Sequence, residues 1–136
     1  MRWRADVGCA LALLVACAAP PQRTAETATS RSGDAANDTV QMARLEREAR
    51  ALAKTDGCAA ASACRTAPVG WRGCGGPRTY VAYCAATTDS VALFRKLDEL
   101  KAAETAYNEK AGMLSTCEMR LPPTVTVQEG RCTASR

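Results

Sequence analysis

Hydrophobic and polar positions divide the chain into segments of different kinds. A basic start, Arg2 and Arg4, precedes an apolar run from Val7 to Ala16, interrupted only by Asp6 at its edge. Ten apolar residues are too few to span a bilayer as a mature helix, and this order of charge and apolarity is that of a secretory signal. From Ala18 to Asn37 no residue is larger and apolar than Ala or Pro, so the stretch cannot bury enough surface to offset its ordering entropy and reads as a tether. As a flexible coil it reaches roughly 25 Å. Asp38-Thr39-Val40-Gln41 has the form of a capped helix start, and Met42, Leu45, Ala49 and Leu52 then recur at helical spacing, with Gly57 as the stop. A longer helix is predicted from Thr88 or Asp89 to Ala111, ended by Gly112, with Leu93, Leu97, Leu100 and Tyr107 in one stripe that Phe94 and Ala103 widen. At 1.5 Å per residue it would run roughly 35 Å.

Between the helices, Cys58 to Pro77 holds five glycines and three cysteines from Gly57 onward, a density of breakers that no helix tolerates. A loop-rich region is expected there, with a short strand near Pro68-Val69. Thr79 to Cys84 and Thr124 to Gln128 are β-branched or aromatic enough to be strands, the second closed by a turn at Gly130. The order helix, Cys-rich loop, strand, helix, strand argues for an α+β domain with two helices and a two- or three-stranded sheet. The organisation expected is 1–16 signal, 17–37 tether, and 38–136 disulfide-rich α+β domain.

The 136 residues allow one small domain. Aromatics make up 4% of the chain, so the core must be built mainly from Ala, Leu and Val. No histidine is present, which removes Ser-His and Cys-His nucleophile pairs, His-ligated zinc and an imidazole pH switch. The formal net charge of +4 is spread among alternating acids and bases, without the basic stripe that nucleic-acid binding requires.

The apolar run closes on Leu14-Val15-Ala16-Cys17, which resembles the lipobox of bacterial lipoproteins. The resemblance implies cleavage before Cys17, a diacylglycerol on its thiol with further acyl chains such as palmitate, and anchorage in a cell-envelope membrane. Ala18 in place of Asp implies sorting to the outer membrane of a Gram-negative cell. The competing reading is ordinary secretion, since Ala16-Cys17-Ala18 is also a small-x-small cleavage site that would release a soluble chain beginning at Ala19. Farther on, Cys74-Gly75-Gly76-Pro77, Thr88-Asp89, Ser115-Thr116-Cys117 and Gly130-Arg131-Cys132 together resemble small secreted Cys-rich bacterial domains. That likeness implies export and supplies no activity.

With Cys9 in the signal and Cys17 assigned to lipid, Cys58, Cys64, Cys74, Cys84, Cys117 and Cys132 remain. In an oxidising compartment an even set of six predicts three disulfides, with fifteen connectivities open. Cys58 with Cys64 would close a local loop. The other four bracket the two strands, giving Cys74–Cys117 and Cys84–Cys132 if those strands run parallel and the exchanged pairs if antiparallel. No two cysteines are separated by only two residues, which speaks against structural zinc and against a thioredoxin-like redox pair.

Other constellations have plain explanations. Gly73-Cys74-Gly75-Gly76-Pro77 offers backbone N–H groups but lacks the Lys-Ser/Thr and helix start of a phosphate loop. Glu99 with Glu104, and Glu46 with Glu48, read as solvated helix faces rather than acid/base pairs. Arg65, Arg72 and Arg78 lie within or beside the Cys-bracketed loop, the arrangement of a rigid loop offered to a trypsin-like protease. The expectation is thus a non-catalytic, lipid-anchored envelope module that binds an unidentified envelope protein or ligand, needs no cofactor or metal and does not bind nucleic acid. The alternative is a small disulfide-rich protease inhibitor.

Overall fold

Asp89 stops the turn after a strand and starts a helix: its carboxylate accepts the Ala92 N–H at 3.0 Å, satisfying one of the donors that the first turn leaves open. At the other end Gly112 takes a left-handed conformation (φ 58°), and its N–H and that of Met113 close onto the Asn108 and Glu109 carbonyls, as a glycine C-terminus does. The longer predicted helix is therefore found where its signals place it. In the computed structural model, which describes residues 24–114 and 116–135 and side chains from Gly33 onward, the elements are α1 (Thr24–Leu52), a 3-10 turn (Ala61–Ala63), β1 (Cys64–Val69), β2 (Thr79–Cys84), α2 (Ser90–Ala111), β3 (Thr124–Gln128) and β4 (Arg131–Ser135). The fold is α+β, with two helices and two small two-stranded antiparallel sheets, β1–β2 and β3–β4.

The helices lie antiparallel, since Lys96 reaches Glu48 at 3.1 Å and Lys110 reaches Asp38 at 3.2 Å. Leu45 and Ala49 of α1, Leu93, Leu97 and Leu100 of α2, and Ala67, Val69 and Tyr83 of β1–β2 form the main core. Apart from Tyr83 its members are aliphatic, Leu, Ala and Val, as the composition requires. Phe94 lies at the rim, edge-on to Tyr83 with ring centroids 6.2 Å apart, rather than inside the stripe.

Helix α1 differs from expectation at its start. It begins at Thr24, not Asp38, because residues 24–37 contain no proline and Ala25, Ala28, Ala35 and Ala36 favour helix. Asp38 spends its carboxylate on Lys110 across the helix pair instead of on a cap. Residues 33–37 of this helix are nonetheless all exposed. Limited trypsin digestion is expected to cut at Arg31 before Arg44, Arg47 or Arg50, since only the latter lie where Leu45 and Ala49 dock; cleavage within residues 44–50 first would show that α1 is undocked. The signal segment, Leu14-Val15-Ala16-Cys17 and residues 17–23 lie outside the described residues.

The strands also differ. Thr79–Cys84 and Thr124–Gln128 were expected to share a sheet, but each pairs with its own chain neighbour: β2 with β1, in a register that sets Cys64 opposite Cys84 and Val69 opposite Thr79, and β3 with β4. The turn of β3–β4 is made by Glu129 and Gly130, both at positive φ (50° and 73°), the two-residue geometry that matches strand twist. Strand β1 is far longer than Pro68-Val69 suggests. Gly57 does not end the first helix, which stops at Leu52; it sits in a bend at φ 78°. Among the described residues no helix is long and apolar enough to cross a membrane.

Candidate functional site

The six cysteines separate into a buried group and a surface pair. Cys58 bonds to Cys84 and Cys64 to Cys132, with Cα separations of 5.7 and 5.5 Å. All four are at most 3% exposed, and the sulfurs of Cys58, Cys84 and Cys132 lie within 4.8 Å of one another. These bridges exclude Cys58–Cys64, Cys84–Cys132 and the exchanged pairs Cys74–Cys132 and Cys84–Cys117. Cys64 faces Cys84 across the β1–β2 ladder, yet Cys84 is taken by the segment after α1 and Cys64 by the β3–β4 hairpin. Each bridge thereby ties a sheet to something outside it. The hairpin is held further by Cys58 N–H to the Gly130 carbonyl at 3.0 Å and Cys132 N–H to the Thr55 carbonyl at 2.9 Å. Because the four thiols are bonded, they offer no thiolate to a metal.

Cys74 and Cys117 are exposed. They meet where the Gly-rich turn after β1 touches the loop after α2. That seam is built in several ways. The Arg72 and Gly75/Gly76 backbones close a tight turn, Gly75 N–H to Arg72 O at 2.9 Å and Arg72 N–H to Gly76 O at 3.0 Å. Gly73 then packs so closely on the second loop that an added Cβ would overlap the Met113 carbonyl oxygen. Cys74 Sγ donates to the Thr116 carbonyl at 3.5 Å, and Asn108 Nδ2 and Tyr80 Oη secure the flanks by donating to the Trp71 and Arg120 carbonyls, each at 3.0 Å. The Cys117 thiol is held above the ordinary cysteine value, chiefly by its hydrogen bond with Cys74 and then by burial, against the opposing charge of Arg72. A cavity of about 240 Å³ opens over the pair, lined by Arg72, Gly75, Gly76, Met119 and Arg120. Beyond it, the second loop exposes Met113, Leu114, Met119 and Leu121, Leu114 almost fully at 98%.

Below the seam lies a charged cluster that corrects the reading of Glu104 as a solvated residue. Glu104 is 7% exposed. It accepts the Trp71 N–H and, from Arg78, bonds of 3.0 and 2.8 Å from Nε and Nη2. Arg78 also reaches Glu46 at 2.6 Å, and Arg50 reaches it at 2.8 Å. Burial pushes the Glu46 carboxyl up, but the guanidinium groups of Arg78 and Arg50 together outweigh it and hold the carboxyl below its ordinary value. The signal for Glu104 was present in the sequence: 93, 97, 100 and 104 follow the helical repeat of the apolar stripe, and a carboxylate on that face needs a partner. Gly70 admits it, since a Cβ there would meet the Glu104 carboxylate and the Arg78 guanidinium. Glu99 and Glu48 do remain on the surface, bridged by Lys96, and Glu99 and Glu104 form no carboxylate pair.

The three arginines of the Cys-bracketed loop have separate fates. Arg78 is bound in this cluster, Arg72 lines the cavity, and Arg65 folds back onto the Ser62 and Cys64 carbonyls. Residues 65–69 belong to a strand and do not protrude as a loop. No protein-family model, curated protein or solved structure matches this chain.

Proposed function

We propose that this is a lipid-anchored envelope protein, attached through Cys17 to the outer membrane of a Gram-negative bacterium, whose disulfide-stapled domain serves as a non-catalytic binding module for another envelope protein or ligand. The observation that carries the reading is the pair of buried, interleaved disulfides, which belong to an oxidising compartment. The lipobox-like Leu14-Val15-Ala16-Cys17 supports the anchor. Helix α1 supports a stalk, its exposed residues 33–37 leading toward the N-terminus while its C-terminal half docks on the core. The large apolar side chains of Met113, Leu114, Met119 and Leu121, all exposed within one loop, support a binding role, because apolar surface left in water is what a partner would cover. Protease inhibition draws less support, because Arg78 and Arg65 are engaged within the fold rather than presented on a loop.

Mass spectrometry of the mature N-terminus tests the anchor. The expected species begins at Cys17 and carries acyl chains, and Cys17→Ala is expected to move the protein from the membrane to the soluble fraction. An unmodified chain beginning at Ala19 would replace the anchor with simple secretion.

A further inference from the structure

We infer that Cys74 and Cys117 form a reversible, surface-exposed disulfide that exchanges with small anionic thiols and thereby controls the attachment of the 112–123 loop, while the two buried bridges stay intact. Two loops, not one, bring these sulfurs together, and the Gly73–Met113 contact holds them in register. Access separates this pair from the others. A thiolate must approach a disulfide sulfur to attack it, and it can reach Cys74 and Cys117, which are exposed, but not Cys58, Cys84, Cys64 or Cys132, which are buried.

The preference for an anion comes from the lining of the cavity. Among the described residues Arg72 and Arg120 border it and no carboxylate lines it, and the Arg72 Nε–H is buried without an acceptor. The exchange balances as RS⁻ + Cys117–S–S–Cys74 → RS–S–Cys117 + Cys74–S⁻. One S–S bond forms as one breaks, and the attacking thiol supplies the electron pair that the Cys74 sulfur carries away. A second thiolate at the mixed disulfide releases RSSR and completes reduction of the pair. Both sulfurs are exposed to the attacking thiolate, and the step with Cys74 and Cys117 exchanged balances in the same way. Opening the bond frees the loop that displays Leu114, Met119 and Leu121. The inference is independent of acylation at Cys17, so neither result decides the other.

The test uses the full chain produced under oxidising conditions, treated with graded 3-mercaptopropionate or cysteamine, alkylated and mapped by peptide mass spectrometry. Cys74 and Cys117 are expected to be bonded to each other beforehand and to become alkylated first, with the four buried cysteines protected. Per thiolate present, the anionic reagent should react at least about threefold faster than the cationic one, a difference that salt suppresses and that Arg72→Gln with Arg120→Gln abolishes. Incubation of Cys74→Ser with dithiodipropionate should trap the probe on Cys117. Alkylation of both cysteines before any reductant, simultaneous opening of the buried bridges, or equal rates for the two reagents would each overturn the proposal.

Discussion

Replacing Cys58, Cys84, Cys64 and Cys132 together by alanine is expected to leave the chain without a cooperative melt at 37 °C. The bridges span 26 and 68 residues of sequence; closing loops of those lengths removes denatured-state entropy worth about 3.5 and about 4.4 kcal/mol in the chain-entropy treatment. Because the loops interleave, each closure shortens the other, and the joint effect is smaller than the two added. It still rivals the whole stability of a small domain, about 5–15 kcal/mol. The core cannot absorb such a loss, being made of three leucines on α2, one on α1, Tyr83 and the short side chains of Ala and Val around them. Circular dichroism through a thermal ramp decides the matter: a cooperative transition well above 37 °C would show that packing alone suffices.

The bridges are not equivalent. Strand β3 buries no side chain and β4 buries only Cys132, and an isolated two-stranded hairpin is marginal in water. Removal of Cys64–Cys132 alone should therefore loosen β3–β4 while α1, β1, β2 and α2 persist. The Arg131–Asp56 ion pair is exposed on both sides, so it contributes little as a substitute.

How much of this was legible in the sequence follows from the kind of signal each element carries. Helix α2 has both a cap and a stop written in local residues, and β2 and β3 carry aromatic or β-branched runs, so local chemistry placed them. Strand β1 reads Cys-Arg-Thr-Ala-Pro-Val; its buried positions are small and its pattern is not strictly alternating, and only pairing with β2 makes it a strand. The start of α1 was hidden for the opposite reason, since a polar stretch without breakers looks the same whether helical or extended. Cysteine count predicted a disulfide framework without its connectivity, because Cys58, Cys64, Cys84 and Cys132 converge through tertiary packing rather than through spacing. The meeting of Cys74 with Cys117 was one of the options open in the sequence, and tertiary contacts bring those loops together: the close approach of Gly73 to Met113 and the hydrogen bonds from Asn108 to Trp71 and from Tyr80 to Arg120.

Glu104→Ala is expected to destabilise the protein by about 2 kcal/mol, the range for removing hydrogen bonds to a charged group, and to lower the melting temperature by roughly 10 °C. The side chain joins three elements at once: the Trp71 N–H in the turn after β1, Arg78 at the start of β2, and α2 itself. Its removal leaves the Trp71 N–H without its acceptor and Arg78 with Glu46 alone. The full penalty of a broken buried pair does not apply, because the Arg78 side chain is 41% exposed and water can solvate what is left. Glu99→Ala, on the surface of the same helix, should change stability by no more than about 0.5 kcal/mol. A double-mutant cycle of Glu104→Ala with Arg78→Ala should show clear coupling, and additivity would mean that Glu104 acts through packing alone. The cluster also sets an acid limit. Glu46 is held below its ordinary value of 4.5, so its contribution is complete above that pH and is lost as pH falls through the lower folded-state value. Urea midpoints measured from pH 6 to pH 2.5 should fall below pH 4.5, and Arg78→Ala should start from a lower midpoint and show a shallower acid slope. An unchanged slope would place the acid sensitivity elsewhere and remove Glu46 from the account.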